Sequence, residues 1–303
     1  MIRLLSRRLA FILLICLFII FAAHLGMRMI RNSEVNRPNF DLVHNTKVAW
    51  ADTESYINNA TRGNLGYIET NYGLIRVITI LKETYVNSLG LLFAAMILAV
   101  IFGLYFGAFA ALTKYKKIVF PILLLTILGI SAPTFFAGLI LRQGEIFYLK
   151  TFGRPLVSIA GFGWDYQHML LPVLVLAARP LAYLTRASYI AFGRIMDEDF
   201  IRTAYSKGLD HRSTVNTHAF RNIAIPVLTA VGVSLRFSLG TLPIVEFFFV
   251  WPGMGFRLLE AIDLRQTALV VTLALALGIT FLTINLFLDI CYRFIDPRVR
   301  DRQ

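Results

Sequence analysis

Cysteine is scarce in this chain, which has 303 residues and only two cysteines, Cys16 and Cys291. They lie inside the first and the last long apolar runs, so each is interpreted as a small core or lipid-facing hydrophobe. Two cysteines so placed give no sign of a disulfide framework. Charged residues are also few, at 16% of the chain, against about 25% in soluble domains.

Motifs for chemistry are missing as well. No G-x-x-x-x-G-K-[ST] string occurs, so the chain does not bind ATP through a phosphate cradle of that kind. There is no H-E-x-x-H string, and the five histidines are too scattered to predict a metal site. No serine or cysteine stands at a motif spacing from a base. We therefore expect no metal and no catalytic residues, and an intramembrane hydrolase is the weaker hypothesis.

Apolar residues, by contrast, make up 57% of the chain, and the mean hydropathy is +0.67. This composition indicates a membrane protein. A net charge of +12 would suggest nucleic-acid binding in a soluble protein. Here most of the basic residues stand at the ends of apolar runs, so membrane topology explains them better and nucleic acid is not an expected partner.

Six apolar runs are long enough to cross a bilayer core, which takes about 20 helical residues. They lack the alternation of barrel strands, so the predicted fold class is an all-α integral membrane protein with six transmembrane helices. The runs are Leu9–Met29, Tyr85–Leu112, Val119–Leu141, Met169–Phe192, Ile223–Val245 and Ala268–Tyr292.

Lysine and arginine cluster on one predicted side of the membrane, which sets the orientation. An even number of spans then places both termini in the cytoplasm. The clusters are Arg3, Arg7 and Arg8; Lys114, Lys116 and Lys117; Arg186, Arg194, Arg202, Lys207, Arg212 and Arg221; and Arg293, Arg298, Arg300 and Arg302. The first run is interpreted as an uncleaved signal anchor, with a cleaved signal peptide ending near Ala22-Ala23 as the alternative.

Three outer segments connect the spans. Asn32–Lys82 is predicted to contain turns and a short amphipathic element at Leu74–Leu81, and to pack on the bundle as a lid or docking surface. The second segment is Arg142–His168. The third, Glu246–Thr267, contains W-P-G-M-G, which predicts a re-entrant or interfacial bend with Trp251 at headgroup depth.

Charges inside spans are costly and are candidates for the translocation path. Arg179 lies beside Pro180 in the fourth run, Arg236 lies in the fifth, and Glu246 lies at the outer end of the fifth. For Arg179 the alternatives are snorkelling or a structural pair with another subunit, and for Glu246 the alternative is a position that only marks the interface. Arg236 is the stronger candidate, because a guanidinium can hold a peptide carboxylate through two hydrogen bonds.

The segment Glu198–Leu209 is polar and lies between two apolar runs. Read as a helix, it places Phe200, Ala204 and Gly208 on one shallow face that a partner could approach closely. Gly208 predicts a C-terminal cap, and a second helix is expected from Asp210 or Ser213 to Asn222. An amphipathic helix lying on the headgroups is the alternative.

Several strings carry a family resemblance. D-F-I-R-T-A-Y-S-K-G-L at Asp199–Leu209, followed by H-A-F-R-N-I-A-I-P at His218–Pro226, resembles the coupling motif of ATP-binding-cassette (ABC) importer permeases of the dipeptide/oligopeptide and nickel branch. Other strings similar to the family are Gly129–Phe135, Val245-Glu246, Phe249–Gly255, the terminal Asp296–Arg298 and Arg62–Gly66. The match covers nearly the whole chain in order.

The resemblance implies a type I ABC importer permease fold and a non-catalytic transport subunit in the plasma (inner) membrane of a bacterium. The expected partners are a homologous second permease, two ABC ATPase subunits that bind ATP and magnesium, and an extracytoplasmic substrate-binding protein. The expected solute is a peptide or a related small molecule, and this chain itself holds no cofactor. By the resemblance, the coupling residues are Phe200, Arg202, Thr203, Ala204, Lys207, Gly208 and Leu209.

The resemblance also predicts a division of the chain into four regions. The predicted regions are 1–30 (signal anchor), 31–83 (outer region), 84–293 (transmembrane domain of five helices with a coupling loop at 193–222) and 294–303 (cytoplasmic tail). The chain departs from the family pattern at Arg142–Glu145 and after Arg265. An ion-gradient-driven carrier or channel remains the alternative, although no acidic residue is predicted well inside a span.

Overall fold

The computed structural model describes residues 2–34, 42–70 and 73–295. The predicted D-P-R string at Asp296–Arg298, with Arg300 and Arg302, lies outside them. The described elements are helices α1 (Ile2–Glu34), α2 (Leu42–Thr61), α3 (Val77–Leu112), α4 (Lys116–Ser131), α5 (Thr134–Phe152), α6 (Tyr166–Met196), α7 (Asp199–Ser206), α8 (His211–Thr214), α9 (Phe220–Phe249), α10 (Met254–Asp263) and α11 (Thr267–Ile295), and strands β1 (Tyr67–Thr70) and β2 (Gly73–Arg76).

Five helical stretches are long and apolar enough to cross a membrane, and this confirms the predicted fold class. Each of the first four contains one predicted run, and the last contains all of the final run except Tyr292. They are Arg8–Arg31, Val77–Leu112, Tyr166–Met196, His211–Phe249 and Thr267–Cys291. The second is 36 residues long, which at 1.5 Å per residue is about 54 Å and exceeds the hydrocarbon core.

The remaining predicted span, Val119–Leu141, is not one continuous helix. It is divided between α4 and α5, which meet at an angle of 113°. Proline disfavours helical backbone in the residue before it, and Ala132 before Pro133 is indeed extended, at φ −68° and ψ 129°. The described chain therefore has six spans if the bent pair is counted as one.

Contacts divide the chain into two compact units, the first formed by residues 1–88 and 251–286. In it the predicted outer segment folds as α2 and the antiparallel hairpin β1–β2, where Tyr67 pairs with Arg76. The predicted amphipathic element at Leu74–Leu81 is instead the second strand followed by the start of α3.

The first unit has a shared apolar core rather than a separate one for the outer segment. Ile68 of the hairpin packs with Met27, Met254 and Leu273. The hydroxyl of Tyr56 on α2 lies 2.9 Å from that of Thr272 on α11. A short polar segment cannot bury enough apolar surface alone. It therefore packs its apolar side chains against the ends of the spanning helices.

Trp251, for which the sequence predicted a position at headgroup depth, is fully buried in the first unit. Its indole N–H donates to the carbonyl of Asn87 at 3.1 Å. The Asn87 amide donates to the carbonyl of Pro252 at 3.0 Å, and Ser88 Oγ accepts from the backbone N–H of Met254 at 2.7 Å. The W-P-G-M-G bend is thus held by polar groups of α3, which satisfy a buried tryptophan.

The second unit comprises residues 89–250 and 287–303. Its central helix is α6, whose residues Leu176, Leu184 and Phe192 are almost inaccessible. The part of α3 in this unit approaches α6 closely through Gly103 and Gly107. A Cβ atom at Gly107 would lie 2.5 Å from Ser188 Cβ and 2.6 Å from the Thr185 carbonyl oxygen. This is the small-xxx-small packing typical of membrane helices.

Two carboxylates order the segment that leads into α6. Glu145 is buried, and its Oε1 accepts from the backbone N–H groups of Leu156 (2.7 Å) and Val157 (3.1 Å). Asp165 caps α6 and hydrogen-bonds the His168 ring, and that contact lowers the pKa of the Asp165 carboxyl. The sequence flagged Glu145 as a departure from the family pattern; its observed role is to fix a loop.

Gly107→Ala tests the close approach of α3 to α6. The added methyl must displace Ser188 or the α6 backbone, so we expect a loss of about 1–3 kcal/mol in unfolding free energy. Gly240→Ala on α9 is the matched control, because no atom lies within 4 Å of its Cβ position. It should be neutral or slightly stabilising. Denaturant unfolding of the purified chain in detergent measures both, and equal stability of the two variants would contradict the packing.

Candidate functional site

The polar segment between α6 and α9 forms a short helix with one buried face. In α7, Ile201 is fully buried and Ala204 is 4% exposed, whereas the other residues from Asp199 to Leu209 are exposed. Ile201 and Ala204 are three apart and so share a face. That face fastens the helix to the rest of the chain.

The burial of Ala204 shows that the sequence prediction for the outward face of this helix was wrong. Ala204 was expected to form a shallow outward face with Phe200 and Gly208, but it points into the chain because Ile201, not Phe200, sets the inner face. The outward surface holds the apolar side chains of Phe200 and Leu209 beside the cations of Arg202 and Lys207. Arg202 also lies 3.5 Å from Asp199 in a fully exposed pair, a kind of contact that contributes little.

Gly208 ends α7 as predicted. Its φ is +82°, in the left-handed region that favours glycine. The Gly208 N–H donates to the carbonyl of Tyr205 at 2.9 Å, and the Leu209 N–H donates to the carbonyl of Ala204 at 3.2 Å. These two bonds define a Schellman motif, which reverses the chain without leaving the last carbonyls unsatisfied.

The helix after the turn starts where the sequence predicted. The Asp210 carboxylate accepts from the backbone N–H groups of Arg212 and Ser213 and so caps α8. The helix does not stop at Asn222, however. It continues through a π-helical turn, Val215–Ala219, directly into α9. The result is one helical stretch of 39 residues, His211–Phe249, from the turn to the far end of α9.

Two further contacts hold the turn. The Tyr205 hydroxyl lies 2.7 Å from His211 Nδ1 across it, with the two rings parallel. Beneath it, Phe192 packs edge to face on Phe220 at 5.1 Å. A cluster of Phe192, Val215, Ala219 and Ile223 joins the end of α6 to the start of α9. Sequence reasoning missed these residues, although their apolar spacing on both sides of the segment could have indicated the cluster.

Arg236 is engaged within the chain. Its Nη2 lies 3.6 Å from the carboxylate of Asp289 on α11, and both side chains are about one-third exposed. Asp289 lies two residues before the end of the spanning stretch Thr267–Cys291, so it does not contradict the prediction that no acidic residue lies well inside a span. Arg236 is thus half of an ion pair between two spanning helices, a contact that the sequence did not predict.

The other two charged candidates lie in different surroundings. The Arg179 guanidinium stacks 4.2 Å above the ring of Phe237, a cation–π contact between α6 and α9. Glu246 is completely buried. It follows Arg236 by almost three helical turns, about 15 Å along α9. The structure thus brings Arg179 and Arg236 to neighbouring levels and places Glu246 apart from them.

The fold and this segment define a multi-pass membrane protein with a structured helical loop between two spans. The profile of the family described as "Binding-protein-dependent transport system inner membrane component" matches residues 99–301. The chain belongs to this family, and it is a permease subunit of an ABC importer.

Individual relatives agree. The glutathione transport system permease protein GsiC of Escherichia coli strain CFT073 is 32% identical over 248 residues, covering 81% of this chain and 78% of the relative. The protein of the same name from E. coli K12 has the same identity and coverage, and that of Shigella boydii is 31% identical. These matches do not favour the alternative of an ion-gradient-driven carrier or channel.

A double-mutant cycle tests the Arg236–Asp289 pair. Either single alanine variant removes one charge and takes its partner from the other, so the destabilisations of the two single variants should sum to more than that of the double variant. We expect a coupling of roughly 1 kcal/mol, kept low because both side chains are partly exposed. Unfolding in detergent measures it, with the exposed pair Arg202 and Asp199 as the control. A coupling no larger than that of the control would contradict the pair.

Proposed function

We propose that this chain carries peptide-like solutes across the membrane as one half of a translocation pathway. Its partners would be a homologous second permease, two ATPase subunits that bind ATP and magnesium, and an extracytoplasmic substrate-binding protein. In this assembly the chain is non-catalytic and holds no cofactor. Family membership supports the partner classes, and the glutathione transport named for the relatives supports a peptide-like solute.

We place α7 and its Schellman turn on the cytoplasmic side, against an ATPase subunit. The observation that carries this assignment is the division of α7 into two faces, with Ile201 and Ala204 buried and Phe200 and Leu209 exposed. Large apolar side chains exposed on a polar loop are typical of a protein contact. Arg202, Thr203 and Lys207 surround them and would pair with polar groups of the partner.

The same loop connects α7 mechanically to a spanning helix. The turn leads into the 39-residue helical stretch that ends at Phe249. A partner that displaces α7 would therefore move α9 directly. The Asp210 cap and the cluster around Phe192 hold the connection between α7 and α9 in a fixed conformation. The spans would then move as a two-state element whose equilibrium the nucleotide state of the partner biases.

For the path itself, we propose Arg179 and Arg236 on the facing helices α6 and α9. Asp289 would compete with the solute carboxylate for Arg236. This competition would weaken binding of the solute and so favour its release. Glu246 is enclosed in this conformation and would reach a path only after rearrangement of α9.

Substitutions of Gly208 test the coupling role in the reconstituted complex. Gly208→Val should abolish stimulation of ATP hydrolysis by solute and binding protein, because a β-branched residue disfavours the left-handed conformation. Gly208→Asn tolerates that conformation and should keep most of the stimulation. We expect a difference of at least about tenfold, equivalent to about 1.4 kcal/mol, in the stimulated rate.

Gly153→Val is the matched control. Gly153 also ends a helix in the left-handed region, at φ +70°, but it ends α5 rather than α7. It should lower stability without uncoupling the complex. Unchanged stimulation in a properly assembled Gly208→Val complex would argue against the coupling role.

A further inference from the structure

Two arginines of the second unit stack on phenylalanine rings of the same helix, α9. Arg179 Cζ lies 4.2 Å from the centre of the Phe237 ring. Arg142 Cζ lies 5.7 Å from the centre of the Phe248 ring. Both distances are within the range of a cation–π contact. Arg142 belongs to the segment that departs from the family pattern, and the function proposed above gives it no role.

The two rings lie on one face of α9. Phe248 follows Phe237 by about three helical turns, so the two side chains share a face and are about 16 Å apart along the axis. A glycine lets the second ring approach α5, because a Cβ atom at Gly138 would lie 3.1 Å from Phe248 Cε1. Gly138 precedes Arg142 by one turn, on the same side of α5. Helix α9 therefore holds a cation at two levels.

Neither stacked guanidinium forms an ion pair with an acid in the part of the chain that the structure describes. Glu145, one turn after Arg142, instead accepts two backbone N–H groups of the loop before α6. Glu246 is completely buried. Arg179 lies near the middle of the spanning stretch Tyr166–Met196. A charge in the middle of a span is costly, and such residues commonly mark a path for a solute or an ion.

Arg236 is a third cation, next to Phe237 on α9. Its Nη2 lies 3.6 Å from the Asp289 carboxylate, which is longer than a hydrogen bond. Its Nε is buried and has no hydrogen-bond partner among the described residues. The pair with Asp289 therefore leaves part of the hydrogen-bonding capacity of this guanidinium unused.

A guanidinium stacked on a ring can still bind a carboxylate. The phenylalanine ring attracts the positive charge but has no oxygen atom to accept the N–H groups. The N–H donors of each arginine lie in one plane, in a geometry that matches a carboxylate. Arginines that line a membrane path favour anions over cations. Arg142, Arg179 and Arg236 are thus suited to a solute that carries carboxylates.

We propose that the path selects peptide-like solutes with a net negative charge, and that Arg142 and Arg179 bind their carboxylates in succession. The proposal rests on the function proposed above and adds the charge of the solute to it. A peptide with an acidic side chain has one carboxylate more than a neutral peptide and so gains an attraction at each arginine. A basic side chain is repelled at the same positions.

ATP-dependent uptake by the complete importer in liposomes tests the proposal. Three tripeptides of equal length are compared: alanyl-glutamyl-alanine, alanyl-glutaminyl-alanine and alanyl-lysyl-alanine. We expect the uptake rate to fall in that order. The readout is the ratio of the rates for the glutamyl and glutaminyl peptides, because lower assembly of a variant does not change this ratio. The same binding protein is present in every complex, so its own preference cancels between variants.

The variants remove one charge at a time. Arg179→Met and Arg142→Met each keep an apolar chain against the ring, and each should lower the ratio by roughly fivefold, the upper range for a partly exposed charge pair. Arg179→Lys keeps the charge and should keep most of the ratio. Arg154→Met is the control, because it removes an exposed cation from the loop after α5. It should leave the ratio unchanged.

The outcomes distinguish the charge preference from the proposed function. An unchanged ratio in both Arg179→Met and Arg142→Met would overturn the preference alone. An equal fall in Arg154→Met would also overturn it, because the effect would then come from general surface charge. Loss of assembly in Arg179→Met, with an unchanged ratio in Arg142→Met, would assign Arg179 to a structural pair with another subunit instead. Absence of ATP-dependent uptake of all three peptides would overturn the proposed function itself.

Discussion

The attachment of α7 to the neighbouring helices is the contact on which the proposed coupling role depends. Ile201 and Ala204 of α7 are buried, whereas the other residues from Asp199 to Leu209 are exposed. Burial of one large apolar side chain stabilises by about 1.5–3 kcal/mol, enough to keep the helix in place while its outer face stays accessible. A helix that is packed on one face and exposed on the other can transmit a displacement from a bound partner to the spanning helices.

The spanning helices suit that role because they combine rigid and bent parts. The helix from His211 to Phe249 is continuous, whereas α4 and α5 are broken at Pro133. Close packing at Gly103 and Gly107 holds α3 against α6. Polar contacts inside the spans, such as Arg236 with Asp289, are few and specific, as expected where lipid replaces water as the solvent.

Much of this architecture could be predicted from the sequence because hydropathy and turn chemistry are local. The spans follow from runs of apolar residues, and the end of α7 follows from Gly208 within a helical pattern. The direction in which Ala204 points could not be predicted, because Phe200 and Ile201 are both apolar and only the neighbouring helices decide which is inside. The Arg236–Asp289 pair joins residues far apart in the chain, and the burial of Trp251 depends on Asn87 in another helix. Pro133 in the third run predicts a kink in the helix, but it does not predict the angle of 113° between α4 and α5.

Site-specific photo-crosslinking in the assembled importer tests the central claim most directly. A photoreactive amino acid is placed in turn at Phe200, Leu209, Ile201 and Ala204, and the partner captured at each position is identified. Capture of the ATPase from Phe200 and Leu209, with capture only within the permease from Ile201 and Ala204, is the predicted result. Capture of the ATPase from Ala204 as efficiently as from Phe200, or from neither, would contradict the account.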